Sequence, residues 1–437
     1  MKKQVLLCFC CALLPFTSSF TEKCQKNHFT IHTDLNPLYV QFVQANAEAF
    51  YQNLQQRYFQ TPWEEPLIIY YSETGSETLK LIKLQGHKDE AASGQYIASV
   101  PAVYAHRITN DGQPCGWSTL FHEITHHFIH QNFQNPPEWF NEGLASFLGE
   151  QTRIIKGKLT IACPDPKLGL MLKSTIEEGR RLSIRRLLST SKESFYRWSV
   201  GPQFAQTFFY WLNDIGQLEQ YLKNTQQKNY ELSVLEKTLS RPYGKINTEL
   251  AAFIKKNCYA PAYLEEGRQA KNKAQKELAL LKALEIKPDY HAARLDLAKC
   301  YNRNKDYKKC RDYLKQILDT PESCHHRQAA TLMGNTYYNQ KDYPSALEYY
   351  IIAWEYSDLH EDKYRVAYQI GNSYYYLQDP ENAKQWYQKF LDCNWEPKQM
   401  EAATNYAQKY IELTHTADDA EKGDNKEITN DNTEKKM

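Results

Sequence analysis

Two kinds of hydrophobic pattern divide the chain. From about residue 25 to 258, short apolar runs alternate with stretches of helical period, which is typical of a mixed α+β domain. Strands are predicted at 29–32, 66–71 and 96–106, and helices at 38–59, 118–131 and 137–148. Pro101 lies inside the third strand and cannot donate a ladder hydrogen bond, so we expect that strand at a sheet edge.

From about residue 260 only helical periods remain, and they repeat. Small residues at Ala298, Gly334 and Gly371 are 36 and 37 positions apart. Each is followed at fixed spacings by an aromatic residue, an aspartate and a second small residue: Tyr301, Tyr337 and Tyr374; Asp306, Asp342 and Asp379; Cys310, Ala346 and Ala383. These spacings predict antiparallel helix pairs that touch at the small residues and turn at the aspartate.

The repeat pattern resembles the tetratricopeptide repeat, whose period is about 34 residues. It covers residues 260–413, with 400–413 as a capping helix. The resemblance implies an all-α solenoid whose extended groove binds a protein partner.

The two ends of the chain differ from both regions. Lys2 and Lys3 precede an apolar run over 5–16 and small polar residues over 17–19, the pattern of a secretory signal peptide at 1–19. The run is too short for a stable transmembrane anchor, so we expect export to a periplasm or secretion. Residues 414–437 contain no aromatic residue and are predicted to form a disordered tail.

Charge and cysteine usage add two constraints. With 53 basic and 52 acidic side chains the formal net charge is +1, which argues against a nucleic-acid partner. Eight of the 11 cysteines follow residue 19, an even number that permits disulfides in an exported chain.

The chemistry is expected at an HExxH sequence in the predicted helix 118–131. His122 and His126 are four residues apart, so both imidazoles lie on one helical face and can bind one metal ion. Glu123 lies beside that face, where its carboxylate can take a proton from a metal-bound water. The pattern predicts a zinc-dependent hydrolytic site.

The segment 136–145 reads Pro-Pro-Glu-Trp-Phe-Asn-Glu-Gly-Leu-Ala. It resembles the gluzincin metallopeptidases, in particular the WxNEGxA signature of aminopeptidases and the PxWxxEGxA of peptidase-MA-like domains. The resemblance implies a zincin-like α+β catalytic domain over 25–258 that binds one Zn²⁺. It assigns His122, His126 and Glu142 as zinc ligands and Glu123 as general acid/base. One position departs from the family: where a further acid follows the third ligand by seven residues, this chain has Gly149, with Glu150 beside it.

Other residues compete for these roles. His130 lies about 12 Å along the helix axis from His122, too far to share its ion, and His127 is rotated off the ligand face. Glu138 precedes Glu142 by one turn but suits the helix N-terminus electrostatically. Tyr196 and Tyr210 are both candidates for the donor that stabilises the oxyanion in the transition state.

Two main hypotheses follow. The first is an exported zinc-dependent peptidase whose repeat domain recruits a protein substrate or partner. The alternative is a repeat-domain scaffold with a catalytically silent zinc domain. A third reading keeps the metal but makes the peptide cross-links of a cell wall the substrate.

Overall fold

The computed structural model describes residues 22–413 except 27, 34, 36, 60, 85–93, 109–116, 162–164, 226–229, 321–322, 358–362 and 394–399. The predicted signal peptide and disordered tail both lie outside the described residues. Within these residues no helix is both long and apolar enough to cross a membrane.

The N-terminal region contains a five-stranded mixed sheet with the strand order β1-β2-β3-β5-β4. The central strands β2, β3 and β5 run parallel, and β1 and β4 pair antiparallel at the two edges. The strands are β1 (Glu22–Lys26), β2 (Phe29–Thr33), β3 (Leu67–Thr74), β4 (Gln95–Ile97) and β5 (Ala102–Ile108).

Alternating side chains cover the two faces of this sheet differently. Ile69 and Val103 face a large core shared with α1 (Pro37–Arg57) and α3 (Ser118–Asn132). Ile68 and Tyr104 face α2 (Gly75–Leu84) on the opposite side. The region therefore begins as three layers, with the sheet between helices.

The expectation of one continuous strand over 96–106 was wrong. The structure divides the segment into β4 and β5, which pair antiparallel with Tyr96 opposite Val103. Pro101 lies in the connecting turn, where its missing N–H costs nothing, and β5 is an inner strand while β4 forms the edge. The proline therefore marks the break between two strands.

Helices dominate after the sheet. The N-terminal region continues with α4 (Glu138–Glu150), a hairpin of β6 (Thr152–Ile155) and β7 (Lys158–Ile161), and a helical layer. That layer comprises α5 (Pro166–Glu177), α6 (Ile184–Leu188), α7 (Lys192–Arg197), α8 (Gly201–Asp214), α9 (Leu218–Thr225) and α10 (Leu232–Leu239).

No linker separates the two predicted regions. The helix α11 (Tyr243–Gln269) runs through residues 258–260 without interruption, although Pro261 lies inside it. A side chain at Gly169 of α5 would lie 2.5 Å from the carbonyl oxygen of Cys258, so α5 packs directly on α11 just before the proline. The helix α11 therefore belongs structurally to both regions.

Helix pairs then stack to the end of the described chain. They are α11 with α12 (Lys273–Ile286), α13 (His291–Arg303) with α14 (Tyr307–Leu318), α15 (His326–Asn339) with α16 (Tyr343–Glu355), and α17 (Lys363–Tyr376) with α18 (Pro380–Cys393). A further helix, α19, covers 401–413.

The repeated residues occupy equivalent places in each pair. Asp306 and Asp342 cap the second helix, their carboxylates accepting from Lys309 N and Ser345 N at 3.2 Å. Gly334 and Gly371 each face the ring of a buried tyrosine on the second helix of their own pair, Tyr350 and Tyr387 respectively. These contacts explain why the spacing of small and acidic residues recurs.

We expect Gly371→Ala to lower the free energy of unfolding by about 1–3 kcal/mol, the usual cost of overpacking. A Cβ at Gly371 would lie 2.7 Å from ring atoms of Tyr387. Urea unfolding followed by circular dichroism measures the change. Gly244→Ala is the matched control, because a Cβ at that helical position meets no atom within 4 Å. An equal loss in both variants would contradict the packing argument.

Candidate metal centre

The helix α3 buries one face and turns the other toward a cleft. Leu120, Ile124 and Phe128 are fully buried, and Phe121 stacks on Phe50 with ring centroids 4.1 Å apart. This packing fixes the rotation of α3 about its axis, so that His122 and His126, four positions apart, both face the cleft.

The second helix of the site, α4, is anchored at its start by aromatic packing. Its N-cap is Pro137, and the next two aromatic residues, Trp139 and Phe140, are fully buried. The Trp139 ring stacks on Phe209 of α8 with centroids 6.1 Å apart. One turn later, a Cβ at Gly143 would lie 2.7 Å from Ala205, so α8 packs against the backbone of α4.

The helices α3 and α4 meet with almost no space between them. A Cβ at Gly149 would lie 2.4 Å from both the Cα and the nitrogen of His122. Any side chain at that position would push the helices apart. This close approach explains why glycine occupies position 149, where no acidic residue fits.

Three side chains converge where the helices meet. His122 Nε2 lies 3.0 Å from His126 Nε2, and the Glu142 carboxylate oxygens lie 3.6 Å and 3.7 Å from these two nitrogens. The three ligand atoms lie within 4.8 Å of one another. The structure thus brings together all three residues for which the sequence predicted a ligand role.

The separations fit a zinc ion. Zinc–ligand bonds of about 2.0–2.1 Å in a tetrahedral arrangement place two nitrogen ligands about 3.3 Å apart. The donor set of two imidazoles and one carboxylate is that of catalytic zinc sites with an open fourth position. The residues present therefore fit this metal.

Both imidazoles have an oxygen partner at their other nitrogen. His126 Nδ1 lies 3.0 Å from Asn141 Oδ1, and His122 Nδ1 lies 3.4 Å from a Glu150 carboxylate oxygen. An amide oxygen and a carboxylate only accept hydrogen bonds, so each Nδ1 carries a proton, and Nε2 is the ring nitrogen of each histidine that faces the site and would bind a metal.

The sequence left the role of Glu150 open. Glu150 lies one position beyond the place where the gluzincin signature has a further acidic residue. Its carboxylate is also held by Gln206 of α8, whose Nε2 donates to it at 3.3 Å and to the Ser146 carbonyl at 3.1 Å. Ser146 itself places its hydroxyl oxygen 3.5 Å from His122 Nδ1. Glu150, the residue after Gly149 on α4, therefore orients the His122 ring.

The charges around the site favour a cation. Burial lowers the pKa of His122, but contacts with Glu142 and Glu150 outweigh this and raise that pKa well above the usual value. Burial raises the pKa of Glu142, yet the hydrogen bond from His122 outweighs it and lowers the pKa overall. Burial and the charge of His122 lower the pKa of His126 to about 4. The carboxylates thus stabilise positive charge between the three side chains.

Glu123 lies beside the three ligands without joining them. It is 7% exposed, and burial raises the pKa of its carboxyl to about 7. Gly94 makes room for it, because a Cβ there would lie 3.0 Å from a Glu123 carboxylate oxygen. A carboxyl that titrates near neutral pH is suited to accepting and returning a proton.

The centre opens into a cleft of 680 Å³. The edge strand β4 forms one wall, and α7 contributes Lys192 and Tyr196 to the other. Glu138 contacts both of these α7 residues. Its carboxylate accepts a hydrogen bond from the Tyr196 hydroxyl at 2.6 Å and lies 3.2 Å from Lys192 Nζ. Glu138 therefore connects α4 to α7 and lies outside the group of three ligands.

The two tyrosines predicted as possible oxyanion donors lie in different surroundings. Tyr196 lines the cleft and is 53% exposed, whereas Tyr210 is buried and packs between Phe147 and Phe253. The expectation that Tyr210 could act as a donor is therefore not supported by its position. His127 lies off the ligand face, with Nδ1 2.9 Å from the Tyr96 hydroxyl.

Comparisons with known proteins bear on the helical region. Residues 270–335 match the family model described as tetratricopeptide repeat. The helix pairs within that range are tetratricopeptide repeats. For residues 270–335 this confirms the repeats predicted from the sequence, and it supports a role in binding a protein partner.

Solved structures with detectable similarity include PilF of Pseudomonas aeruginosa, with 23% identity over 36% of this chain and 75% of that chain, and a TM-score of 0.29. Two structures of MamA are also similar, one with 18% identity over 41% of this chain and 97% of that chain (TM-score 0.30). The other has 17% identity over 34% of this chain and 91% of that chain (TM-score 0.26). No curated protein matches the chain.

We expect Glu150→Gln to weaken zinc binding about 10- to 100-fold, because it removes the carboxylate that orients His122. Zinc titration against a competing chelator measures the affinity. The matched control is Glu285→Gln on α12, outside the cleft, which should leave the affinity unchanged. Unchanged affinity in both variants would show that Glu150 does not support the centre.

Proposed function

We propose that the N-terminal region is a zinc-dependent peptidase and that the repeats bring a protein substrate or partner to it. The observation that best supports this proposal is the convergence of His122, His126 and Glu142, with the buried carboxyl of Glu123 beside them. None of the comparisons points to a peptidase, so hydrolysis is supported by the chemistry of the site alone. Export, indicated by residues 1–19, is part of the same proposal.

The metal would be held by His122, His126 and Glu142. When bound, zinc lowers the pKa of a coordinated water toward neutrality and polarises a carbonyl oxygen. Asn141 and Glu150 hold a proton on Nδ1 of each imidazole, which leaves Nε2 as the atom that would bind the metal.

The protein's own groups supply the proton transfers. The Glu123 carboxylate accepts a proton from the attacking water and later delivers it to the leaving amine. Its buried position, which raises the pKa to about 7, suits both steps at neutral pH. The Tyr196 hydroxyl lies at the cleft and donates to Glu138 in this structure, and in the proposed reaction it exchanges that partner for the oxygen that becomes negatively charged.

The strand β4 suits an extended peptide. It is one of the two edge strands of the sheet, and it lines the cleft beside Glu123. A sheet edge holds an extended chain by main-chain hydrogen bonds, and alternate side chains then face the cleft. This arrangement favours a polypeptide substrate over a compact small molecule.

The second candidate is a repeat scaffold with a silent zinc domain. The family-model match over 270–335 favours it, since it supports a binding role without requiring catalysis. The two candidates differ in one measurable respect, which is hydrolysis that depends on Glu123.

The first experiment is a peptide-library digest comparing wild type with Glu123→Gln. We expect the variant to retain about one zinc per chain and to lose hydrolysis, because the amide removes the base and leaves the ligands. Glu285→Gln serves as the distant control. A wild-type protein that binds zinc and cleaves nothing would favour the scaffold, and a protein that ignores added zinc would overturn the site itself.

Tyr196→Phe and Tyr210→Phe form a matched pair. We expect Tyr196→Phe to lower kcat about 10²- to 10³-fold, the usual cost of one oxyanion donor. Tyr210→Phe keeps the buried ring in place and should leave kcat nearly unchanged. Steady-state kinetics on one peptide cleaved by wild type measures both, with zinc content as a check. Equal effects would exclude the assignment of Tyr196.

A further inference from the structure

The hairpin formed by β6 and β7 begins directly after the helix that supports the metal centre. Glu150 is the last residue of α4, and β6 starts two positions later at Thr152. The Arg153 guanidinium donates from Nη1 to the Glu150 carbonyl at 2.9 Å, and the Thr152 hydroxyl donates to the Leu148 carbonyl. Gln151 and Thr152, which connect the helix to the strand, are both buried. The end of α4 and the start of the hairpin are therefore bonded into one unit.

The turn of this hairpin has a lysine at its tip. Ile155 pairs with Lys158, so Lys156 and Gly157 form a two-residue loop, and their φ angles are both positive, at 49° and 73°. Positive φ at both loop residues is typical of the type I′ turn, in which asparagine, aspartate and glycine are preferred. A lysine adopts this conformation less readily than those residues. Turn preference therefore does not explain the lysine.

The Lys156 side chain contacts the stack of helix pairs. Its Nζ lies 4.0 Å from the centre of the Tyr356 ring, which is a cation–π contact. Tyr356 is the C-cap of α16, and its ring packs edge-on against the His326 ring of α15, with centroids 4.6 Å apart. His326 is buried, and its Nε2 donates to the carbonyl of Leu318, the last residue of α14, at 3.1 Å. Three helices of the stack therefore position the ring that the lysine meets.

A further contact holds the returning strand to the N-terminal region. Asn53 of α1 donates from Nδ2 to the Gly157 carbonyl at 3.0 Å, and its Oδ1 accepts from the Leu159 N–H at 3.0 Å. A two-stranded hairpin is at best marginally stable alone, so its position depends on the groups that it touches. Those groups include α1, the end of α4 and the stack of helix pairs. Loss of one contact therefore changes how firmly the hairpin is held at the others.

The hairpin thus connects the stack to the residue that orients His122. The four residues of β6 span about 13 Å, at about 3.3 Å per residue, between the Lys156 turn and the end of α4. At that end, a Glu150 carboxylate oxygen lies 3.4 Å from His122 Nδ1. We propose that the β6–β7 hairpin couples the stack to the metal centre, because the contact between Lys156 and Tyr356 helps to position Glu150. The coupling rests on zinc binding at the candidate centre and does not require hydrolysis.

A coupling of this kind acts in both directions. If the lysine–tyrosine contact raises the affinity for zinc, bound zinc must strengthen that contact by the same factor. Zinc binding should therefore slow amide hydrogen exchange in β6, β7 and α16, although none of these elements supplies a metal ligand. In the other direction, a molecule that displaces Lys156 from Tyr356 should lower the affinity for zinc. The contact thus gives the stack a means of controlling the centre.

The test is zinc titration of the full chain against a competing chelator. We expect Lys156→Met to weaken zinc binding about two- to tenfold, the size of effect that substitutions along a coupled network have. Tyr356→Leu removes the ring and should weaken binding by the same factor, whereas Tyr356→Phe keeps the ring and should bind zinc as the wild type does. The variant with both Lys156→Met and Tyr356→Leu should be no weaker than either single variant, because all three lose one and the same contact. Circular dichroism checks that each variant is folded.

Lys389→Met is the matched control. Lys389 Nζ lies 3.8 Å from the centre of the Trp386 ring within α18, so this variant loses the same kind of contact elsewhere in the stack and should leave zinc affinity unchanged. Hydrogen exchange read by mass spectrometry is the second measurement: Lys156→Met should abolish the protection of α16 by zinc and keep that of α3.

Three outcomes would overturn the coupling. Equal zinc affinities of wild type and Lys156→Met, or additive losses in the variant that carries both substitutions, would do so and leave the metal centre intact. A chain that binds no zinc at all would overturn the centre and the coupling together.

Discussion

The backbones of α3 and α4 touch at His122 and Gly149, and the candidate centre depends on that contact. It fixes how far the histidine face of one helix lies from the carboxylate of the other. With the two helices in contact, Glu142 comes close to both Nε2 atoms, and Glu150 comes close to Nδ1 of His122. A methyl group at position 149 would separate all of these atoms at once.

The same contact concentrates acidic groups around two imidazoles in a poorly hydrated place. Glu142 loses solvation there, and this loss must be offset by hydrogen bonds or by positive charge. The hydrogen bond from His122 supplies part of the compensation. A divalent cation would supply the rest, which is why the geometry supports a metal even though the comparisons with known proteins concern the repeats.

Sequence patterns located much of this structure. The HExxH spacing depends only on helical geometry, so it placed His122 and His126 on one face without knowledge of the fold. The repeat spacing likewise predicted the helix pairs, since the small residue lies where the two helices touch, as Gly334 and Gly371 do against Tyr350 and Tyr387. The role of Pro101 was misjudged because a proline is tolerated equally at a sheet edge and in a turn.

Other features depend on contacts between distant parts of the chain, and no local pattern reveals them. Gln206 reaches Glu150 from α8, and Tyr210 differs from Tyr196 only in where its helix packs. Asn141, in contrast, is adjacent to Glu142 and could have been inferred as a partner for a ligand histidine.

The continuity of α11 has a consequence for how the two regions cooperate. A flexible tether lets a bound molecule sample a large volume, so its effective concentration at a second site depends on linker length. In this chain one helix is shared by both regions, and α5 packs against it before Pro261. Under the proposed function, a partner held on the repeats would be presented to the cleft in a narrow range of orientations. The stack of helix pairs would then select substrates by the distance between their binding segment and their cleavage site.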